Sequence, residues 1–183
     1  MAKPLDIDAL QIVLYPDPVL RQVCPPVERF DDELRRLAGK MLELMHQPRG
    51  VGLAGPQVGV TRRLFVCNPT GQPDDDLVCI NPELSGLTRA AEFEEGCLSL
   101  PDVLVPIRRA EQVHLRAFDL DGRPFERDAQ DLIGRVWQHE TDHLDGRLIL
   151  DYMSEASQIA NRRLLKQLRA DYEAGNKSGK KSA

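Results

Sequence analysis

The stretch His139-Glu140-Thr141-Asp142-His143 constrains this chain most, because its chemistry works only if the five residues lie on one helix. Residues four apart share a helical face, so the two imidazoles can close on one ion while Glu140 is directed at a water activated there. Two imidazoles make a weak site. A third donor must come from a distant segment that the fold brings against this helix. Glu95-Gly96-Cys97-Leu98-Ser99 offers the best one, since a thiolate beside two imidazoles suits a soft tetrahedral site. The ligands read from the sequence are therefore Cys97, His139 and His143, with Glu140 handling protons. Three protein ligands leave one position open, which marks a catalytic site and implies metal-assisted hydrolysis. Only four histidines occur in 183 residues, so two of them at ligand spacing around a glutamate carry information. The peptidase form HExxHxxGxxH fails, because Gly146 is in place but the last position is Ile149. Glu155 and Glu173 remain open as alternative third ligands on spacing alone.

A glycine-rich run, Gly50-Val51-Gly52-Leu53-Ala54-Gly55-Pro56-Gln57-Val58-Gly59, has neither a Walker lysine nor a complete GxGxxG, which argues against a phosphate cradle. Its glycines permit close approach of another backbone. Gln57 brings an amide that can donate to a developing oxyanion. Elsewhere the pattern is mixed. A helix should start after Asp31, with Leu34, Leu37, Met41 and Leu44 on one face, and stop at Pro48 and Gly50. Short strands are expected at 63–67, 77–80 and 113–118, the last followed by an Asp121-Gly122 hairpin signal. The metal-bearing helix spans 131–145 with Leu132, Val136 and Leu144 as its core face, and a last helix, 154–174, packs through Ile159, Leu164, Leu165 and Leu168. The fold class is α+β: small mixed-strand sheets around a central helix bearing HExxH, with a C-terminal helix. One catalytic domain should occupy 1–174 and a disordered basic tail 175–183. No N-terminal apolar run or membrane-length stretch is present, so a cytoplasmic location is expected, with reduced cysteines and Cys67 and Cys79 in the core.

In this order the three segments resemble the motifs of the peptide deformylases, GxGxAAxQ, EGCxS and QHExDH, with Gln138 completing the last. Tyr15-Pro16-Asp17-Pro18-Val19-Leu20-Arg21 is similar to that family's opening segment, so the resemblance runs from about residue 11 to 150. It implies a hydrolase that removes the formyl group from the N-terminal formyl-methionine of newly made polypeptides and releases formate. The implied ion is ferrous iron (Fe2+), with zinc (Zn2+), nickel (Ni2+) or cobalt (Co2+) able to take the same ligands. By the same resemblance, Gln57 and the backbone N–H of Leu98 bind the oxyanion. The substrate lies as an extra strand held by main-chain bonds around Gly50 and Gly52, and Val51 and Val136 wall the methionine pocket. Glu95 pairs with a basic residue, here Arg109.

Two positions depart from the family pattern. Gly55 replaces the usual second alanine and is expected to loosen the loop around Gln57. Leu104 stands where many relatives carry arginine, and it removes a charged contact to the far end of a short substrate. From 154 to 183 there are seven basic residues against three acidic, net +4, so the rest of a chain of net −5 carries −9. That asymmetry suggests an RNA-facing tail, and the resemblance implies docking near the ribosomal exit tunnel. Two other functions stay open at this point. An amidase or peptidase of different substrate would share the metal site and differ in its pocket. A non-catalytic binder of nascent chains would have lost a ligand or the glutamate, and none is lost here.

Overall fold

In the computed structural model, which describes residues 5–179, helix α1 (Asp32–His46) starts where the sequence places its cap. The Asp31 carboxylate accepts from the Leu34 amide at 3.0 Å, which satisfies one of the donors that a helix start leaves unpaired. Leu34, Leu37, Met41 and Met45 repeat at helical spacing and are fully buried against β1 (Gly52–Ala54) and β2 (Leu64–Cys67). The strands that follow are β3 (Leu77–Thr88), β4 (Ala91–Cys97), β5 (Leu100–Arg109), β6 (Gln112–Phe118) and β7 (Pro124–Gln130). Strands β1-β2-β3-β6-β7 form one antiparallel sheet in that order, and β4 and β5 form a separate antiparallel hairpin.

Helix α2 (Asp131–Leu144) carries both candidate histidines and packs on the large sheet through Val136, Trp137 and Leu144, joined there by Phe65 and Leu115. A second apolar cluster on the other side joins Leu100, Val105 and Ile107 of β5 to Leu164, Leu165 and Leu168 of helix α3 (Glu155–Gly179). The expected α+β architecture, with a central HExxH helix and a C-terminal helix, is the one observed. Cys24, Cys67 and Cys79 are buried free thiols. Among the described residues no helix is long and apolar enough to cross a membrane.

Several local expectations need correction. Leu132, assigned to the core face of α2, is 51 % exposed, and Ile159, assigned to the packing face of α3, is 75 % exposed. Leu132 stands one turn before buried Val136 but borders an open cleft, whereas Ile159 stands five residues before Leu164, off the face that Leu164, Leu165 and Leu168 share. Strand β3 continues well past residue 80, and β4 and β5 were not anticipated. Ala91–Cys97 is mostly exposed and rich in glutamate, so it lacks the alternation that marks a half-buried strand. Helix α3 runs to Gly179, beyond the Ala174 boundary, and residues 180–183 of the expected tail lie outside the described part of the chain.

Candidate active site

The β4–β5 hairpin turns at Leu98 and Ser99, with Cys97 paired to Leu100 at its closed end. The amide of Tyr15 donates to the Ser99 carbonyl at 2.9 Å, tying the N-terminal segment to this turn. Across from it, the last two turns of α2 present His139 and His143. The Cys97 Sγ lies 3.3 Å from His143 Nε2, which is 3.2 Å from His139 Nε2, and the three ligand atoms fall within 4.8 Å of one another. Tetrahedral bonds of about 2.0–2.3 Å would hold such donors roughly 3.3–3.6 Å apart, so the donor set and its spacing fit one ion. Among the described residues this is the one Cys/His/Asp/Glu group with that property. Glu155 lines a different groove, beside Tyr15 and Arg21, and Glu173 is exposed on α3.

His139 Nδ1 stands 3.0 Å from Glu95 Oε2. An ionised carboxylate can only accept, so Nδ1 carries the proton and Nε2 turns its lone pair toward the other donors. Burial alone would raise the Glu95 carboxyl. Hydrogen bonds from His139 and Arg109 and the Arg109 charge overturn this and hold it at about 2, against an ordinary 4.5. Arg109 Nε donates to Glu95 at 2.6 Å, as the sequence suggested, and its Nη1 donates to Asp142 at 2.8 Å. Sequence reasoning missed Arg135, whose Nη1 donates to Glu95 Oε1 at 2.7 Å. Its signal was available, since Arg135 precedes His139 by one helical turn on the same face.

A carboxyl held at about 2 when folded and near 4.5 when unfolded stabilises the fold by roughly 3 kcal/mol, fully present above about pH 4.5 and lost as the pH falls toward 2. Glu95→Gln is therefore expected to be markedly less stable than the parent at pH 7, with a gap that narrows by more than half at pH 3. Denaturant unfolding at the two pH values measures this, and an equal gap at both would remove the ionised carboxylate as its cause.

Glu140 is 3 % exposed, and burial pushes its carboxyl up to about 7 despite the lowering pull of His139 and Arg109. A carboxyl poised there can both take and return a proton near neutral pH. Gln57, 1 % exposed, accepts from the Ala54 amide through Oε1 at 2.8 Å, which aims its Nε2 at Cys97 Sγ and Ser99 Oγ, 3.4 Å from each. A cleft of about 680 Å³ opens beside the cluster. Gly50, Val51, Gly52, Leu98 and Val136 all line it together with Cys97, His139 and Glu140. Ile12 and Leu14 from the N-terminal segment also line it, which no local sequence pattern announced.

The two departures read differently in three dimensions. A Cβ on Gly55 would lie 2.7 Å from the carbonyl oxygens of both Val60 and Arg62, so the following loop has closed tightly on this glycine and is not loosened by it. Leu104 is half exposed on β5, with its Cδ2 over Gly96, and the wall of the cleft is formed instead by Pro101 and Asp102.

Residues 9–158 match the family model for polypeptide deformylases. A peptide deformylase of Alkalilimnicola ehrlichii is 46 % identical over 160 residues, covering 87 % of this chain and 90 % of the relative. One of Acidobacterium capsulatum is 46 % identical over 162 residues, covering 87 % and 95 %. Among solved structures, a plant peptide deformylase superposes with a TM-score of 0.88 at 34 % identity and 96 % coverage of both chains. A peptide deformylase from Legionella pneumophila gives a TM-score of 0.84 at 39 % identity, covering 90 % of this chain and 98 % of the other.

Proposed function

The chain belongs to the polypeptide deformylase family, and we propose that Cys97, His139 and His143 hold its metal while Glu140 carries the protons of the reaction. It is a hydrolase that removes the formyl group from the N-terminus of new polypeptides. The observation that supports the division of labour best is the convergence of one thiolate and two imidazoles beside a buried carboxylate at the wall of an open cleft.

A metal ion held by Cys97, His139 and His143 would supply a water of lowered pKa and polarise the formyl carbonyl. Glu140 removes a proton from the water as its oxygen bonds to the formyl carbon. The oxyanion that develops accepts hydrogen bonds from Gln57 Nε2 and the Leu98 backbone N–H. Glu140 then gives its proton to the amine nitrogen as the C–N bond breaks, leaving formate and a free N-terminus. Main-chain groups around Gly50 and Gly52 pair with the peptide as an added strand, so recognition is independent of sequence there. Val51 and Val136 give the methionine side chain an apolar wall, and the pair of Glu95 with Arg109 keeps the hairpin that bears Cys97 in register with α2.

Ferrous iron is the native ion in this reading, with zinc, nickel or cobalt able to occupy the same ligands. Formate release from formyl-Met-Ala-Ser by anaerobically purified protein, beside hydrolysis of the acetyl-Met analogue, tests the substrate and the ion together. Turnover of the formyl peptide alone, with stoichiometric iron, is expected. Comparable cleavage of the acetyl peptide would make this a broader amidase.

The cytoplasm is the proposed location, and the ribosome the proposed docking partner. Exposed Arg162, Arg163 and Lys166 on α3, within a terminal segment of net +4, support the second proposal. Neutralising these three should weaken ribosome co-sedimentation at low salt and leave turnover of a short peptide unchanged. Equal co-sedimentation of both proteins would reject it.

A further inference from the structure

Gly52 is the first residue of β1, paired with Cys67, and its backbone is ordinary extended strand rather than left-handed. Any residue could adopt that conformation, and a strand gives up stability to carry glycine there. The turn chemistry that accounts for many glycines is therefore absent. What does require glycine is the neighbour. A Cβ built on Gly52 would lie 2.8 Å from Glu140 Cδ and 2.9 Å from its Cγ, and closer still to Oε1.

Neither backbone can give way cheaply, so it is the Glu140 side chain that has to turn. Leu53 and Ala54 are fully buried, and β1 is locked to β2 through Gly52, Leu53 and Ala54. On the other side α2 is anchored by Trp137, 2 % exposed, and by Leu144, fully buried. Glu140 itself is buried, so its carboxylate cannot swing into bulk water without leaving the cluster. Among the described residues Glu140 Oε2 has no hydrogen-bond partner, so no hydrogen bond to that oxygen fixes its direction.

We propose that the missing side chain at Gly52 forms the seat of the Glu140 carboxylate, making Gly52 a positioning residue for the proton-transfer step in addition to its backbone contact with substrate. This rests on the assignment of Glu140 as the acid–base group. A methyl at position 52 would turn the carboxylate away from the water and leave Cys97, His139 and His143 untouched.

A double-mutant cycle isolates the effect. Gly52→Ala is expected to keep its metal and lose about a hundredfold in kcat, on the scale of a misplaced general base. Its Tm should fall by about 5 °C, as overpacking at a tight contact does. On a Glu140→Ala background, where no carboxylate remains to be displaced, the same substitution should change kcat less than about threefold and cost little or no Tm. The Tm arm reads the steric contact without any turnover, and it still reads if Gly52→Ala proves too unstable for kinetics, because the double variant should then recover. A role for position 52 in substrate binding alone would raise KM by the same factor on both backgrounds, and that result overturns the proposal. So does a Gly52→Ala protein with normal kcat and Tm. If instead Glu140→Ala alone stays active, it is the acid–base assignment that fails, whatever the Tm values show.

Discussion

Glu140→Ala protein should retain its metal and its fold while formate release falls at least about a hundredfold, the usual worth of a positioned acid–base group. The two losses are separable here for structural reasons. The carboxylate is not one of the three converging donor atoms, so removing it leaves the ligand set intact. Its Oε2 makes no hydrogen bond among the described residues, so the fold loses no partner, and a buried ionisable group is replaced by a small apolar one. Metal content and Tm near those of the parent, with kcat collapsed, is the expected combination. Near-normal formate release would assign the proton transfers elsewhere, and the mechanism proposed for Glu140 would have to be abandoned.

Cys97→Ala should lose the ion and the activity together. Two imidazoles four residues apart on one helix make a weak site, and the sulfur, 3.3 Å from His143 Nε2, is the donor that closes it. The variant should contain almost no metal after dialysis, whereas Cys67→Ala should keep a full complement. Cys67 lies on β2 away from the three donors, and burial pushes its thiol up to about 12, so it stays protonated and is no ligand. Elemental analysis of both dialysed proteins gives the answer. Unchanged metal in the Cys97 variant would sink the three-ligand assignment. It would also send the search back to the glutamates on α3, although Glu155 faces another groove and Glu173 is exposed.

Much of the candidate site could be read before any fold was known, and the reason is local geometry. His139, Glu140 and His143 belong together because a helix forces residues four apart onto one face, whatever surrounds it. The Asp31 cap, the start of α1 and the hairpin after Phe118 follow from equally local rules. Leu132 marks where such rules stop, since it has the spacing of a core residue and its exposure depends on what covers that stretch of helix, whereas Ile159 is out of phase with Leu164, Leu165 and Leu168. Strand β4 is illegible for a related reason, since the glutamate-rich Ala91–Cys97 shows no alternation, whereas Val103, Val105 and Ile107 of β5 do alternate inward.

By itself, then, the sequence determined which side chains could bind an ion, which carboxylate could move protons, and that the chain is an α+β hydrolase of recognisable kind. Tertiary structure alone decided that Cys97 and not Glu155 stands beside the histidines, that Arg135 joins Arg109 on Glu95, that the loop after Gly55 closes down on it, and that Gly52 lies against Glu140. Apart from the closure on Gly55, which is local, these contacts link residues far apart in the chain. They are set by strand register and by the packing of α2 between the large sheet and the β4–β5 hairpin, and the period of no single segment encodes either.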